Sequence, residues 1–184
     1  MPEPPLLDLL IELQTLDRVP RMGYALRGVV DPESVSEHTF HLAFLVWTLG
    51  TNEPSVDLLQ ALELALVHDL VEVRTGDLPR PAASFFPPGA KEQAEAAIGA
   101  ELLAPLGARA RNLLAEYHSK QSPEARFVSA CDKLQVRIKA LAYARRGARS
   151  LDAFWADLPA LADGCGFASI ERIARALLEQ RPED

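Results

Sequence analysis

The sequence predicts an all-α fold, a compact helical bundle forming one domain over residues 1–184. Three observations predict it. Apolar residues recur at helical spacing in segment after segment. Ser, Pro and Gly stand where helices start and stop. No stretch shows the sustained alternation of a strand, and there is no internal repeat or low-complexity segment. A chain of 184 residues can bury a core without disulfides or structural metals.

Leu6, Leu9, Leu10, Leu13 and Leu16 give an amphipathic first helix after Pro4 and Pro5. Residues 17–33 hold Pro20, Gly23, Gly28 and Pro32 and are expected to form a loop, in which Arg18, Arg21 and Arg27 collect. Ser34 and Glu37 have capping-box spacing for a helix running to Leu49. Ser55 is expected to cap a third helix, apolar on more than one face, that ends at Gly76. Pro79, Pro81, Pro87 and Pro88 around Phe85 and Phe86 make residues 77–89 an ordered loop or lid. Helices follow over roughly 90–104 and 108–118, then one capped by Ser122 with Pro123 in its first turn that stops near Gly147. Two more, near 151–163 and 169–180, end the chain.

Nearly half the residues are hydrophobic, and 19 Lys and Arg stand against 26 Asp and Glu, a net charge of −7. This acidic balance disfavours a nucleic-acid polymer as partner but leaves room for a small anionic substrate held by a metal and local arginines. Cys131 and Cys165 form no CxxC pair and read as reduced thiols. The acidic N-terminal segment lacks an export signal, and no apolar run is long enough for a membrane span, so a cytoplasmic location is expected.

The chemistry concentrates in LALVHDLVEVRTGDLP. His68, Asp69 and Glu72 are spaced three and four apart, which places them on neighbouring positions of one helix. Burying a histidine beside two carboxylates in an apolar helix is costly unless a cation or hydrogen bonds satisfy them. A divalent ion does so, and imidazole with carboxylate suits zinc, manganese, iron, cobalt or magnesium. His38, near an apolar helix face, and Asp132, within FVSACDKLQVRI, are the best candidates to complete the set from two other helices. The expected metal ligands are therefore His38, His68, Asp69 and Asp132. His41 reads as a hydrogen-bonded boundary residue, and His118 as a helix-end residue favoured by the dipole.

The order His38, HDLVEVRTGDLP, CDKLQ resembles the HD-domain superfamily of metal-dependent phosphohydrolases. RMGYALRGVVDPESVSEHTFHLAFL and EYHSKQSPEARFVSACDKLQ extend the resemblance to the compact 5'-deoxynucleotidases of the YfbR and HDDC2 type, across residues 21–135. The resemblance implies that His38, His68, Asp69 and Asp132 hold the metal. It implies that Glu72 and Asp77 act beside it, in proton transfer, in holding the sugar or as ligands of a second ion. Arg21 or Arg27 would meet the phosphate, with Tyr24 at the substrate. Tyr24 stands where such relatives usually have tryptophan, and His118 where many have glutamate. A homodimer is also expected from the resemblance, with the first or the terminal helices as possible surfaces.

The function expected is hydrolysis of (deoxy)nucleoside 5'-monophosphates to nucleoside and phosphate, with a nucleotide substrate and a divalent metal ion. Two other readings stand beside it. One is an HD-type phosphodiesterase or a hydrolase of pyrophosphorylated nucleotides. The other, of a different class, is a catalytically idle nucleotide- or metal-binding module.

Overall fold

Every regular element among residues 4–181, which the computed structural model describes, is a helix. The leucine-rich start forms α1 (Pro4–Leu13), continued by a 3-10 turn over Gln14–Arg18 that buries Leu16. The segment expected as loop contains one short helix, α2 (Met22–Ala25), and an isolated antiparallel bridge from Pro20 to Ser34. α3 (Val35–Gly50) begins with the full reciprocal cap. The Glu37 amide donates to Ser34 Oγ at 3.2 Å, and the Ser34 amide to Glu37 Oε2 at 2.8 Å.

The next helix differs from expectation at both ends. α4 (Leu58–Val67) is capped by Asp57, whose Oδ1 accepts from the Leu59 and Gln60 amides, and not by Ser55. A carboxylate at the N-cap also meets the positive end of the helix dipole, which a hydroxyl two residues earlier does not. The helix does not run on to Gly76. The Ala65 carbonyl, the acceptor for Asp69 in an unbroken helix, takes the His68 Nδ1–H at 2.8 Å. The chain tightens to i−3 bonds, Glu72 N–H to Asp69 O at 3.0 Å among them, before the short α5 (Glu72–Thr75). Gly76 then turns the chain at φ 68°, a conformation that favours glycine.

The lid segment carries the short α6 (Arg80–Ala83). α7 (Ala90–Leu102) and α8 (Gly107–Ser119) follow, and they pack closely at Gly99, where an added Cβ would lie 2.5 Å from Leu114 Cδ2. α9 (Pro123–Arg145), capped by Ser122, is the longest element and the centre of the bundle. The helix expected over 151–163 is instead a 3-10 turn at Asp152–Phe154 and α10 (Leu158–Gly164). Pro159 disfavours helical geometry in the residue before it and fits only the first turn, so the helix restarts there. α11 (Ala168–Glu179) closes the described chain.

α9 is covered by α3, α4, α8, α10 and α11. Leu42, Leu64, Phe127, Leu134, Leu158 and Ile170 are fully buried between them. A smaller core of Leu9, Val71, Leu102, Leu103, Ala110 and Leu114 ties α1 and α7 to the side of α8. Close packing of this kind fixes side chains to within fractions of an ångström, which a constellation drawn from three helices requires. No helix among the described residues is long and apolar enough to cross a membrane.

Candidate metal centre

His38 sits in the first turn of α3, His68 closes α4, Asp69 lies in the tightened turn after it, and Asp132 projects from the middle of α9. His38, His68 and Asp69 each offer a ligand atom, all within 4.8 Å of one another. His68 Nε2 stands 2.9 Å from Asp69 Oδ2, and His38 Nε2 stands 3.8 Å from the same oxygen. Asp132 Oδ1 joins them through its 3.3 Å approach to His38 Nε2.

The protonation pattern of the two rings follows from their partners. His68 Nδ1 faces the Ala65 carbonyl, which can only accept, so this nitrogen carries the hydrogen. His38 Nδ1 lies 2.8 Å from Gln135 Oε1. The Gln135 amide nitrogen points at both carboxylate oxygens of Glu33, at 3.2 and 3.4 Å, which fixes the amide's orientation and makes His38 Nδ1 the donor. Both Nε2 atoms are thereby left as lone pairs, and both are buried without a hydrogen-bond partner. Two buried imidazole acceptors aimed at two carboxylates are a donor set that could hold a divalent ion, with the outer nitrogens held as such ligands need. The residues fit the ion.

The electrostatics agree. Where no cation neutralises the acids, protonated imidazoles do so instead: burial opposes ionisation of Asp69, but the charge and hydrogen bond of a protonated His68, with Arg21 and His38, hold its carboxyl far below the usual range. Asp132 is opposed by burial in the same way and is brought down to about 2 by His38 above all. Glu72 goes the other way. Burial, reinforced by Asp69 and Asp77, pushes its carboxyl up to about 10, and its Oε2 has no hydrogen-bond partner.

Asp77 reaches away from this centre to hold the neighbouring loop. Its Oδ1 accepts from Arg21 Nη1 at 2.9 Å and its Oδ2 from the Met22 amide at 2.6 Å. Arg21 spans the acids, 3.4 Å from Asp69 and 3.9 Å from Glu72. Arg27 donates to the Gly23 carbonyl and lies over the Phe154 ring at 4.8 Å. Tyr24 is almost wholly buried. Its hydroxyl donates to the Val136 carbonyl at 2.7 Å, and its ring stacks on Phe154 at 4.6 Å.

Above the centre opens a cavity of about 700 Å³, lined by Arg21, Asp69, Glu72, Asp132, Tyr117 and Phe154 among others. Along one wall Glu95 pairs with Lys91 at 3.2 Å and approaches His118 at 3.9 Å. His118, expected to be a helix-end residue, is both that and part of this wall. His41 stays outside, half exposed and 3.6 Å from Glu33.

Sequence reasoning passed over Glu33, Gln135 and Phe154. Gln135 carried a signal, since it lies three residues after Asp132 on the same helix face within an apolar run. Glu33 and Phe154 lie in connecting segments and carried none.

Comparison with known proteins places this geometry. The HD-domain family model matches residues 13–159. The chain is 31% identical over 161 residues to 5'-deoxynucleotidase hdd1 of Schizosaccharomyces pombe, covering 83% of this chain and 79% of that one. It is 36% identical over 131 residues to 5'-deoxynucleotidase HDDC2 of Danio rerio, covering 70% of this chain and 64% of the relative. A Pyrococcus horikoshii protein of known crystal structure superposes with a TM-score of 0.83 at 30% identity, over 95% of this chain and 99% of that one. The chain belongs to the HD-domain family and, within it, to the group that contains these curated 5'-deoxynucleotidases.

Proposed function

We propose that the protein is a metal-dependent phosphohydrolase that cleaves deoxynucleoside 5'-monophosphates to nucleoside and phosphate. The observation that carries this reading is the pair of buried, partnerless imidazole Nε2 atoms facing Asp69 and Asp132 on the floor of a nucleotide-sized cavity. Its relatives in the same family bear the name of this activity.

His38, His68, Asp69 and Asp132 hold the ion in this reading. A divalent cation bound there supplies Lewis acidity toward the phosphoryl group and the attacking water. The remaining work falls to the chain. Arg21, kept in place by Asp77, offers guanidinium charge to the phosphoryl oxygens at the edge of the acids. Glu72, buried beside the acids with its Oε2 free of hydrogen bonds, is placed to give a proton to the 5' oxygen as the bond to phosphorus breaks. The proton lost by water restores Glu72, so protons balance over one turnover. Val136 and Phe154 give the nucleoside apolar walls.

Phosphate release from a panel of nucleotides, with protein loaded in turn with manganese, cobalt, zinc, iron and magnesium, tests this. Turnover with at least one ion and a loss of about 10²-fold or more in Glu72→Ala are expected. No turnover, or a Glu72→Ala protein as active as its parent, overturns the reading.

A cytoplasmic location and a homodimer belong to the same proposal. For the dimer the support is a stripe on α3, where Phe40, Phe44 and Trp47 are 67%, 56% and 53% exposed at helical spacing. Light scattering on the parent and on Phe44→Glu, with a monomeric variant expected, decides it.

A further inference from the structure

The floor of the cavity is acidic. Asp69, Glu72, Asp77 and Asp132 line it, and the phosphoryl group of a nucleotide brings about two more negative charges. Arg21 stands among these acids, and its Nη1 is shared between Asp77, Asp69 and Glu72 at 2.9, 3.4 and 3.9 Å. Even with a divalent ion in place and a proton on Glu72, the ion and Arg21 only balance the other three carboxylates. A dianion drawn to this floor needs a further positive charge.

Most basic side chains around the cavity are engaged elsewhere. Arg27 donates to the Gly23 carbonyl and lies over the Phe154 ring. Arg80 and Arg137 pair with Asp157 at 3.1 and 3.4 Å, and Lys133 adds its charge toward the same acid. Lys120 is exposed at the end of α8.

Lys91 differs. It is the second residue of α7, at the positive end of the helix dipole, where an ammonium is disfavoured. Half-buried in the cavity wall, it is anchored one turn on by the buried Glu95, with Nζ 3.2 Å from Oε1. His118 of α8 approaches the other oxygen of Glu95 at 3.9 Å, so two helices bracket the anchor. An ammonium has three hydrogens, and Glu95 engages one of them. Burial opposes the charge on Lys91, but Glu95, and beyond it Glu72 and Asp69, hold the ammonium above its usual range. Its charge acts in turn on Glu72, while its ion pair is with Glu95 on the wall.

We propose that Lys91 is a phosphate-binding residue, whose ammonium, anchored by Glu95, meets the phosphoryl oxygens of the substrate together with Arg21 and supplies the positive charge that the floor lacks. The inference rests on the phosphohydrolase reading of the metal centre and adds a second cation to its substrate site. An ammonium on a flexible stem acts as a point charge, which suits a phosphoryl group that changes shape as its bond to the 5' oxygen breaks.

The metal-loaded protein is titrated by calorimetry with orthophosphate and, separately, with a deoxynucleoside, and is assayed with the corresponding 5'-monophosphate. In Lys91→Met, orthophosphate should bind about 10–100-fold more weakly, and the loss of activity should fall mainly on KM by a similar factor. Binding of the deoxynucleoside, which has no phosphate, should stay within about twofold of the parent. Lys91→Arg keeps the charge and should recover most of the phosphate affinity. Lys91→Met combined with Glu95→Gln leaves no uncompensated carboxylate and carries the test, with the same losses expected, if Lys91→Met does not fold. Orthophosphate affinity unchanged by loss of the ammonium overturns the proposal, as does an equal weakening of phosphate and nucleoside, or a parent that binds no phosphate. A Lys91→Arg protein as weak as Lys91→Met also overturns it. Absence of turnover by a parent that binds phosphate overturns the hydrolase reading alone, since the calorimetric comparison still decides the role of Lys91.

Discussion

Replacing Gln135 by leucine removes the group that sets the ring state of His38 without touching a metal ligand. Gln135 accepts the His38 Nδ1–H at 2.8 Å and passes its amide hydrogens to Glu33, whose side chain is fully buried and also pairs with Lys139 at 3.2 Å. Leucine keeps the volume but leaves the His38 Nδ1–H without an acceptor in a dry site, a cost of about 1–3 kcal/mol. The ring can then turn or change tautomer, so affinity for the divalent ion should fall about 10–100-fold. Chelator competition measures that affinity, and ¹⁵N shifts of the His38 ring report its tautomer. Gln135→Glu alone should be as damaging, since it sets two carboxylates against each other in the core. Glu33→Gln combined with Gln135→Glu rebuilds the relay with its partners exchanged and should recover most of the affinity. An unchanged affinity and unchanged ring shifts in Gln135→Leu, or a double variant no better than the single ones, would refute the relay.

The same structure makes three further predictions. In metal-free protein Glu72→Gln should be stabilising, because the folded carboxyl, raised to about 10, keeps a proton that the unfolded chain has already released. Stability of the parent therefore falls as pH rises from about 5 toward 10, and the advantage of the variant, on the order of 2 kcal/mol or about 4–8 °C at pH 7, should widen with pH. Melting curves of equal midpoint at pH 5.5 and 8 would count against this. Asp57→Ala should cost about 1 kcal/mol by loss of the α4 cap while Ser55→Ala costs almost nothing, as chemical unfolding will show. Gly99→Val should lose about 2 kcal/mol through collision with Leu114, and an unchanged denaturation midpoint would mean that α7 and α8 are not closely packed.

Much of this protein is readable from local signals. The Ser34 and Glu37 cap, the Ser122 and Pro123 start of α9 and the Pro–Gly breaks are chemistry between residues a few positions apart, and the structure realises them. The spacing of His68, Asp69 and Glu72 is local too, which is why the metal centre could be expected. Local signals misled where two candidates competed. Ser55 and Asp57 both suit a cap, and the choice falls to Asp57, whose own amide is also held by Glu124 of α9, 67 residues away in sequence. The break after Val67 was hidden because a histidine's hydrogen bond to its own helix is not visible in periodicity.

By itself the sequence determined the helices, the apolar stripes that pack them and the kinds of ligand atom available, since these depend on neighbours along the chain. Only the tertiary structure decided that His38 from α3 and Asp132 from α9 meet the His68–Asp69 turn, and that Glu33 and Gln135 orient the first of them. It also decided that Asp77 accepts from Arg21 and that Tyr24, at the edge of the cavity, is buried with its hydroxyl on the Val136 carbonyl. Each of these depends on distances between residues remote in sequence, and those are fixed by how whole helices pack.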